Sequence, residues 1–197
     1  INIEGHTVSK LDVKGLDVVR SSFPPAFRKF MAEVLEDILN DITKEDLDDK
    51  ILNFKEHMKT LPLIDVMFPI GVKNVKKYTR KGDQPFAVRM KGTPVHVKSA
   101  LNYNDMLKHL KVTKVREIIN GEKIKWTYLK TNNMGLDTMA MKGFEDPEPI
   151  VKFVQSYINY DKVFKSAFAN KLNDFYGAMK WGRIPENNNL GKFFAFG

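Results

Sequence analysis

Apolar residues recur along this chain with two different periods, and the changes of period divide it into elements. Short alternating runs open it, Ile1-Asn2-Ile3 and Leu11-Asp12-Val13, with Glu4-Gly5 and Lys14-Gly15 as turn signals. That pattern predicts a strand hairpin over residues 1–19. After Ser21-Ser22-Phe23-Pro24-Pro25 the period lengthens: Phe27, Phe30, Met31, Val34, Leu35, Ile38, Leu39 and Ile42 fall three and four apart. This places one wide apolar stripe on a helix that ends near Asn40, with a serine as cap and proline in the first turn. Thr43 is positioned to cap a second helix running to about Met58, with Leu47, Ile51, Leu52 and Phe54 or Lys55 along its buried edge. Pro62 stops that pattern.

From Pro69 to Pro94 the chain is basic and interrupted by Gly71, Gly82, Pro85 and Gly92, so loops are predicted, with one helical turn around Val72 to Tyr78. Residues 95–110 read as a helix. Val115–Ile119 and Ile124–Leu129 flank Asn120-Gly121, a dipeptide whose left-handed backbone suits the twist of a two-residue hairpin turn. A further strand is predicted near Thr138–Met141. Helical patterns return over Ile150–Tyr157 and Lys162–Met179, where Phe164, Phe168, Leu172 and Phe175 are spaced for one buried face. Beyond Trp181-Gly182 the sequence turns polar and then closes on Leu190-Gly191-Lys192-Phe193-Phe194-Ala195-Phe196-Gly197. Apolar residues isolated beyond a polar linker read as a tethered recognition peptide, with Leu190, Phe193, Phe194 and Phe196 as its contact set. The intermixed helix and strand patterns give an α+β fold class.

Length and composition allow a sizeable core, since 43% of the 197 residues are hydrophobic. No run of about 18 apolar residues is present, so no membrane partner is expected. The chain has no cysteine, which removes disulfides and thiolate zinc sites from consideration. It opens on Ile1, and a bulky second residue normally blocks removal of an initiator methionine, so a start inside a longer gene product is expected.

Charge is where the chain departs most from an average one. Its formal net charge of +8 is unevenly distributed. Residues 1–70 carry nine basic and thirteen acidic side chains, residues 71–130 carry fifteen and four, and residues 131–197 carry eight and seven. Cations concentrated in this way attract polyanions, because each phosphate they neutralise releases condensed counterions. The candidate contacts for nucleic acid are Lys73, Lys76, Lys77, Arg80, Lys81, Arg89, Lys91 and Lys98, with Lys165 and Lys171 as helical additions, while His96 and Tyr103 read by themselves as core or capping groups.

Catalytic chemistry is not suggested. The acidic pair Asp46-Leu47-Asp48 lies on a predicted helix with no apolar strand leading to it, unlike a typical catalytic-metal site. His6, His57, His96 and His109 lack metal-ligand spacing, and no phosphate-cradling glycine loop occurs.

Two segments carry a family resemblance. Leu11-Asp12-Val13-Lys14-Gly15-Leu16-Asp17-Val18-Val19-Arg20-Ser21-Ser22 resembles the strand that leaves the palm of family B DNA polymerases, with its Lys-Gly-hydrophobic pattern before Arg-Ser. Gly92-Thr93-Pro94-Val95-His96-Val97-Lys98-Ser99-Ala100-Leu101-Asn102-Tyr103-Asn104 is similar to the thumb motif of Pro-x-His-x-basic followed by Tyr-Asn. The order of parts follows the replicative polymerases of T-even-type phages over nearly the whole chain. Lys98 stands where the family often has arginine, and supplies charge without a bidentate fork.

The resemblance implies a carboxy-terminal polymerase piece: the end of the palm at 1–20, a largely helical thumb with a small β subdomain at 21–182, and an extended tail at 183–197. It implies that the thumb grips double-stranded primer-template DNA without sequence preference, with His96 and Tyr103 of the thumb motif among its contacts, that the tail docks on the sliding clamp, and that the amino-terminal portion of the polymerase is a partner. The metal-binding aspartates would lie upstream, so the Mg2+ of the complete polymerase has no ligands here, no cofactor is expected, and this piece alone would be inactive. The implied setting is the cytoplasm of an infected bacterial host. Two rival readings are a stand-alone basic DNA-binding protein and a nuclease using the acidic cluster Glu45 to Asp49.

Overall fold

A computed structural model describes residues 21–79 and 85–185. The predicted hairpin over 1–19, the candidates Arg80 and Lys81, and the tail set Leu190, Phe193, Phe194 and Phe196 lie outside the described residues. The fold is α+β, with helices and a small three-stranded antiparallel sheet. The chain divides into two compact units, one formed by residues up to Leu61 together with those from Phe164 onward, the other by Pro62–Val163. The expected thumb span 21–182 is thus distributed over both.

In the first unit, α1 (Pro25–Leu39) and α2 (Lys44–His57) follow the predicted periodicity closely. Phe27, Phe30, Met31, Val34 and Leu35 are buried, as are Leu47, Ile51 and Phe54. Leu39, assigned to the buried stripe, is instead exposed where α1 ends. Thr43 caps α2: its hydroxyl accepts from the Asp46 amide at 3.2 Å, satisfying a donor the helix cannot. No serine caps α1. Its N-cap is Pro24, and Pro25 occupies the first turn, where a missing N–H costs nothing.

The aromatic core of this unit is dense. Phe30 stacks on Phe54 with ring centroids 3.9 Å apart, and Phe27 meets Phe54 edge-on at 5.3 Å. Phe168 joins them at 5.1 Å from Phe30. The last predicted helix is three pieces in sequence, α6 (Tyr160–Phe164), a π-helical turn (Lys165–Ala169) and α7 (Asn170–Ala178). The wider π turn absorbs an extra residue. In consequence the buried face runs Phe164, Phe168, Leu172, Tyr176 and leaves Phe175 half-buried.

The second unit is built on β1 (Phe68–Gly71), β2 (Lys123–Tyr128) and β3 (Thr138–Met141), with β2 central. Phe68 pairs with Trp126 and Tyr128 with Thr138. The Phe68 and Trp126 rings stack at 4.8 Å, a cross-strand pair of the kind that fixes register. β1 corrects the expectation of loop from Pro69 onward. The hairpin expectation is also corrected: β2 pairs with β1, and Val115–Ile119 forms no ladder with it. The Asn120-Gly121 turn instead extends the β1–β2 pairing, since the Gly121 amide donates to the Val72 carbonyl at 2.8 Å and the Val72 amide to the Glu122 carbonyl at 2.9 Å.

Helix α4 (Val95–His109) packs against β3 and β2, while α5 (Glu148–Tyr157) contributes Ile150 and Val154 to the same core. Every α4 residue from Ser99 to Leu107 is buried. A helix buried on all sides has to satisfy its own polar side chains. Here those side chains serve as ties to the surrounding chain.

Candidate nucleic-acid interface

The ties from α4 determine where the basic segments stand. Asn104 makes both of its amide hydrogen bonds to one residue: its Oδ1 accepts from the Ile118 amide at 2.7 Å and its Nδ2 donates to the Ile118 carbonyl at 2.9 Å. The side chain thus does for Ile118 what a neighbouring strand would do. Asn102 donates to the Thr138 carbonyl at 2.9 Å, anchoring the start of β3. Tyr103 is fully buried, and its hydroxyl donates to Asp146 at 2.8 Å. Asp105 accepts from the Phe86 amide at 2.6 Å and from Arg89 at 2.5 Å, fixing the segment that leads to the Thr93-Pro94 start of α4.

Four of the expected cations between residues 71 and 98 are exposed. Lys73 lies on the link between β1 and α3 (Val75–Tyr78), Lys76 and Lys77 project from α3, and Lys91 sits in the turn closed by the Thr93 amide on the Met90 carbonyl at 3.1 Å. Gly92 adopts φ +81 in that turn, a conformation that favours glycine. Lys77 Nζ lies 5.4 Å from the Tyr78 ring centre. Lys73, Lys76 and Lys91 form no ion pair among the described residues.

α3 buries only Val75, and its amide there is satisfied from a distance by Asn120 Oδ1 at 2.6 Å. Beside it runs a groove of about 430 Å³ whose lining includes Lys76, Thr79, Arg89, Lys108, Glu117 and Asn120. Lys108 and Glu117 pair across 3.1 Å.

Other expected contacts are used internally. Arg89 has only 11% of its side chain exposed, bonds to Asp105 and donates to Asn102 at 3.1 Å, so it is a core ion pair and not a surface cation. Tyr103 is likewise a core group, and burial together with the nearby Asp146 carboxylate raises its hydroxyl pKa well above the ordinary tyrosine value. Lys98 bonds to Asp137 at 2.8 Å. His96 is half-buried in the first turn of α4, and burial lowers its pKa, so the imidazole is neutral near pH 7. It can hydrogen-bond an anion but adds no charge. Lys165 is exposed on the π turn, and Lys171 is half-buried on α7, both in the first unit.

Sequence reasoning assigned no role to Lys114, Lys123 or Phe144. The first two lie within the basic stretch 71–130, and Lys123 opens β2 opposite Gly71 of β1, a pairing that the hairpin reading does not contain. Phe144, a lone aromatic in a turn, had no periodicity to mark it. Among the acidic residues, Asp48 bonds to Lys44 and accepts from the Tyr176 hydroxyl at 2.6 Å, so the Asp46-Leu47-Asp48 run is engaged in holding α2. Among the described residues no group of three His, Asp or Glu side chains is placed to hold a metal, and no helix is long and apolar enough to cross a membrane.

No protein-family model matches this chain, and no curated protein sequence matches it.

Proposed function

We propose that the chain is the thumb-containing, carboxy-terminal part of a family B phage replicative DNA polymerase, and that it holds primer-template duplex by its backbone without reading sequence. The observation that carries this reading is the exposed set Lys73, Lys76, Lys77 and Lys91, carried on the β1–α3 link, on α3 and on the turn before α4, within a stretch of fifteen basic and four acidic side chains. Flexible ammonium groups of this kind suit phosphate, which positions a duplex but carries no sequence information. Tail docking on a sliding clamp, and assembly with an amino-terminal portion that supplies the Mg2+-binding carboxylates, complete the proposal. These two elements are supported by the sequence resemblance alone.

The test is the salt dependence of duplex binding. Charge reversal of Lys73, Lys76 and Lys77 removes three phosphate contacts, so the slope of log affinity against log salt should flatten by roughly 2.7, at about 0.9 per contact. An unchanged slope would remove the assignment. Primer extension on mixing with an amino-terminal polymerase portion separates this reading from that of a stand-alone DNA-binding protein, which would bind duplex equally but restore no synthesis.

A further inference from the structure

A second basic cleft in the Pro62–Val163 unit has no role in the duplex reading. It encloses about 560 Å³ and is lined by Lys114, Arg116, Lys123 and Lys142, by Glu122 and Glu145, and by Phe144. Glu122 is shared between two of the cations, Arg116 at 3.0 Å and Lys142 at 3.4 Å. Its charge is therefore already compensated. Lys114 and Lys123 form no ion pair among the described residues and leave the cleft with surplus positive charge.

Phe144 is 67% exposed at the rim of this cleft. It is presented by a firmly built turn. Asp146 accepts from the Lys142 amide at 2.9 Å and the Gly143 amide at 2.7 Å, and is itself held by the Tyr103 hydroxyl. Both neighbours of Phe144 adopt left-handed backbone, Gly143 at φ +87 and Glu145 at φ +53. For a residue such as Glu145 that conformation costs free energy, and strain of this sort persists where surrounding contacts enforce it. An aromatic side chain is thus held out in solvent, next to unpaired lysines, by a turn tied to the central helix.

From this geometry we infer that the cleft binds single-stranded nucleic acid, with one base stacked on Phe144 and the flanking phosphates on Lys114 and Lys123. An exposed ring carried on a braced backbone turn beside cations meets both requirements of a strand whose bases are free to stack. An acidic peptide would use the lysines but leave the ring without a partner. A paired duplex would shield its base faces from it.

The test uses the full chain and labelled oligo(dT) of eight nucleotides at low salt, with a hairpin duplex in parallel. Phe144→Ala should weaken oligo(dT) binding roughly ten-fold, the scale of one lost base stack. The pair Lys114→Gln/Lys123→Gln should weaken it further, and both variants should lose several-fold more affinity for oligo(dT) than for the hairpin. Phe144→Trp should bind like wild type, and its added emission should be quenched at saturation. Full-strength oligo(dT) binding by Phe144→Ala, an unquenched added emission in Phe144→Trp, or equal competition by a polyglutamate peptide would each overturn the inference. Loss of hairpin binding in the Lys73/Lys76/Lys77 reversal bears on the duplex reading alone, so the two can fail separately.

Discussion

Replacing Asp105 with alanine should be among the most damaging single changes in the Pro62–Val163 unit. Asp105 and Arg89 are 12% and 11% exposed, so their ion pair is not of the surface kind, which contributes about 0–1 kcal/mol. Removing one partner of a buried pair leaves the other charge uncompensated, at a cost of about 3–5 kcal/mol. The Arg89 Nε is buried without an acceptor, so the guanidinium is already one hydrogen bond short before the carboxylate is removed. The Phe86 amide would also lose its acceptor. Asn102 remains as a neutral partner for Arg89 and brings the expected loss to about 3–4 kcal/mol.

Urea unfolding measures this directly if Trp181 is first changed to Phe, because Trp126 on β2 then reports from this unit. With a slope of about 1.5 kcal/mol/M, the Asp105→Ala midpoint should fall by about 2–2.7 M. Lys98→Ala is the internal control. Its pair with Asp137 is 33% and 55% exposed and should cost less than about 1 kcal/mol. Arg89→Met combined with Asp105→Leu should recover most of the loss, since no buried charge is then left alone. A loss for Asp105→Ala no larger than for Lys98→Ala, or strict additivity of the two single changes, would refute the reasoning.

Asn104→Ala should cost about 2–4 kcal/mol, because it strands both the amide and the carbonyl of buried Ile118; the same urea assay reads it. Thr43→Ala should cost about 1 kcal/mol through the lost α2 cap, read from thermal melts against a Thr43→Ser control that retains it. Tyr103 and Tyr176 both have hydroxyl pKa values raised by burial and by a hydrogen-bonded carboxylate, Asp146 and Asp48 respectively. The unfolded chain releases these protons near pH ~10 while the folded chain keeps them. Their stabilisation is therefore fully present below that pH and is lost as pH rises above it. Tyr103→Phe should make unfolding midpoints between pH 9 and 11 fall less steeply than in wild type.

Elements carried by local periodicity were legible in the sequence. α1, α2, α4 and α5 appear where three- and four-residue spacing places them, and Thr43 caps as its position before the acidic first turn suggests. What local pattern could not supply was strand pairing. Residues 115–119 and 124–129 look like the two arms of a hairpin, yet β2 takes its partner from Phe68–Gly71, a pairing across some fifty residues that no short window contains. Pro69 and Gly71 also weaken the strand signal of β1, although proline is tolerated on an edge strand such as this. The π turn at Lys165–Ala169 shifted the last buried face by one residue for a similar reason: helical periodicity assumes a constant turn.

The candidate site was misread where charge alone decided. Arg89 and Lys91 are two residues apart and equally basic, but one is a core ion pair and the other faces solvent. The difference comes from α4, whose buried polar residues select which neighbouring segments it holds. A four-residue helix such as α3, burying one valine, is far below the length at which a helix is stable by itself. It stands because Asn120 supplies its first acceptor, and Asn120 is positioned two residues after the Ile118 that Asn104 grips. Lys76 and Lys77 therefore depend on Asn104, a buried side chain in the middle of α4. In the same way the Lys91 turn follows the Asp105–Arg89 anchor, and Phe144 follows the Tyr103–Asp146 bond. The Asn102-to-Asp105 run acts by fixing where the exposed groups stand, and its substitutions should disturb binding through displaced cations, not through lost contacts of its own.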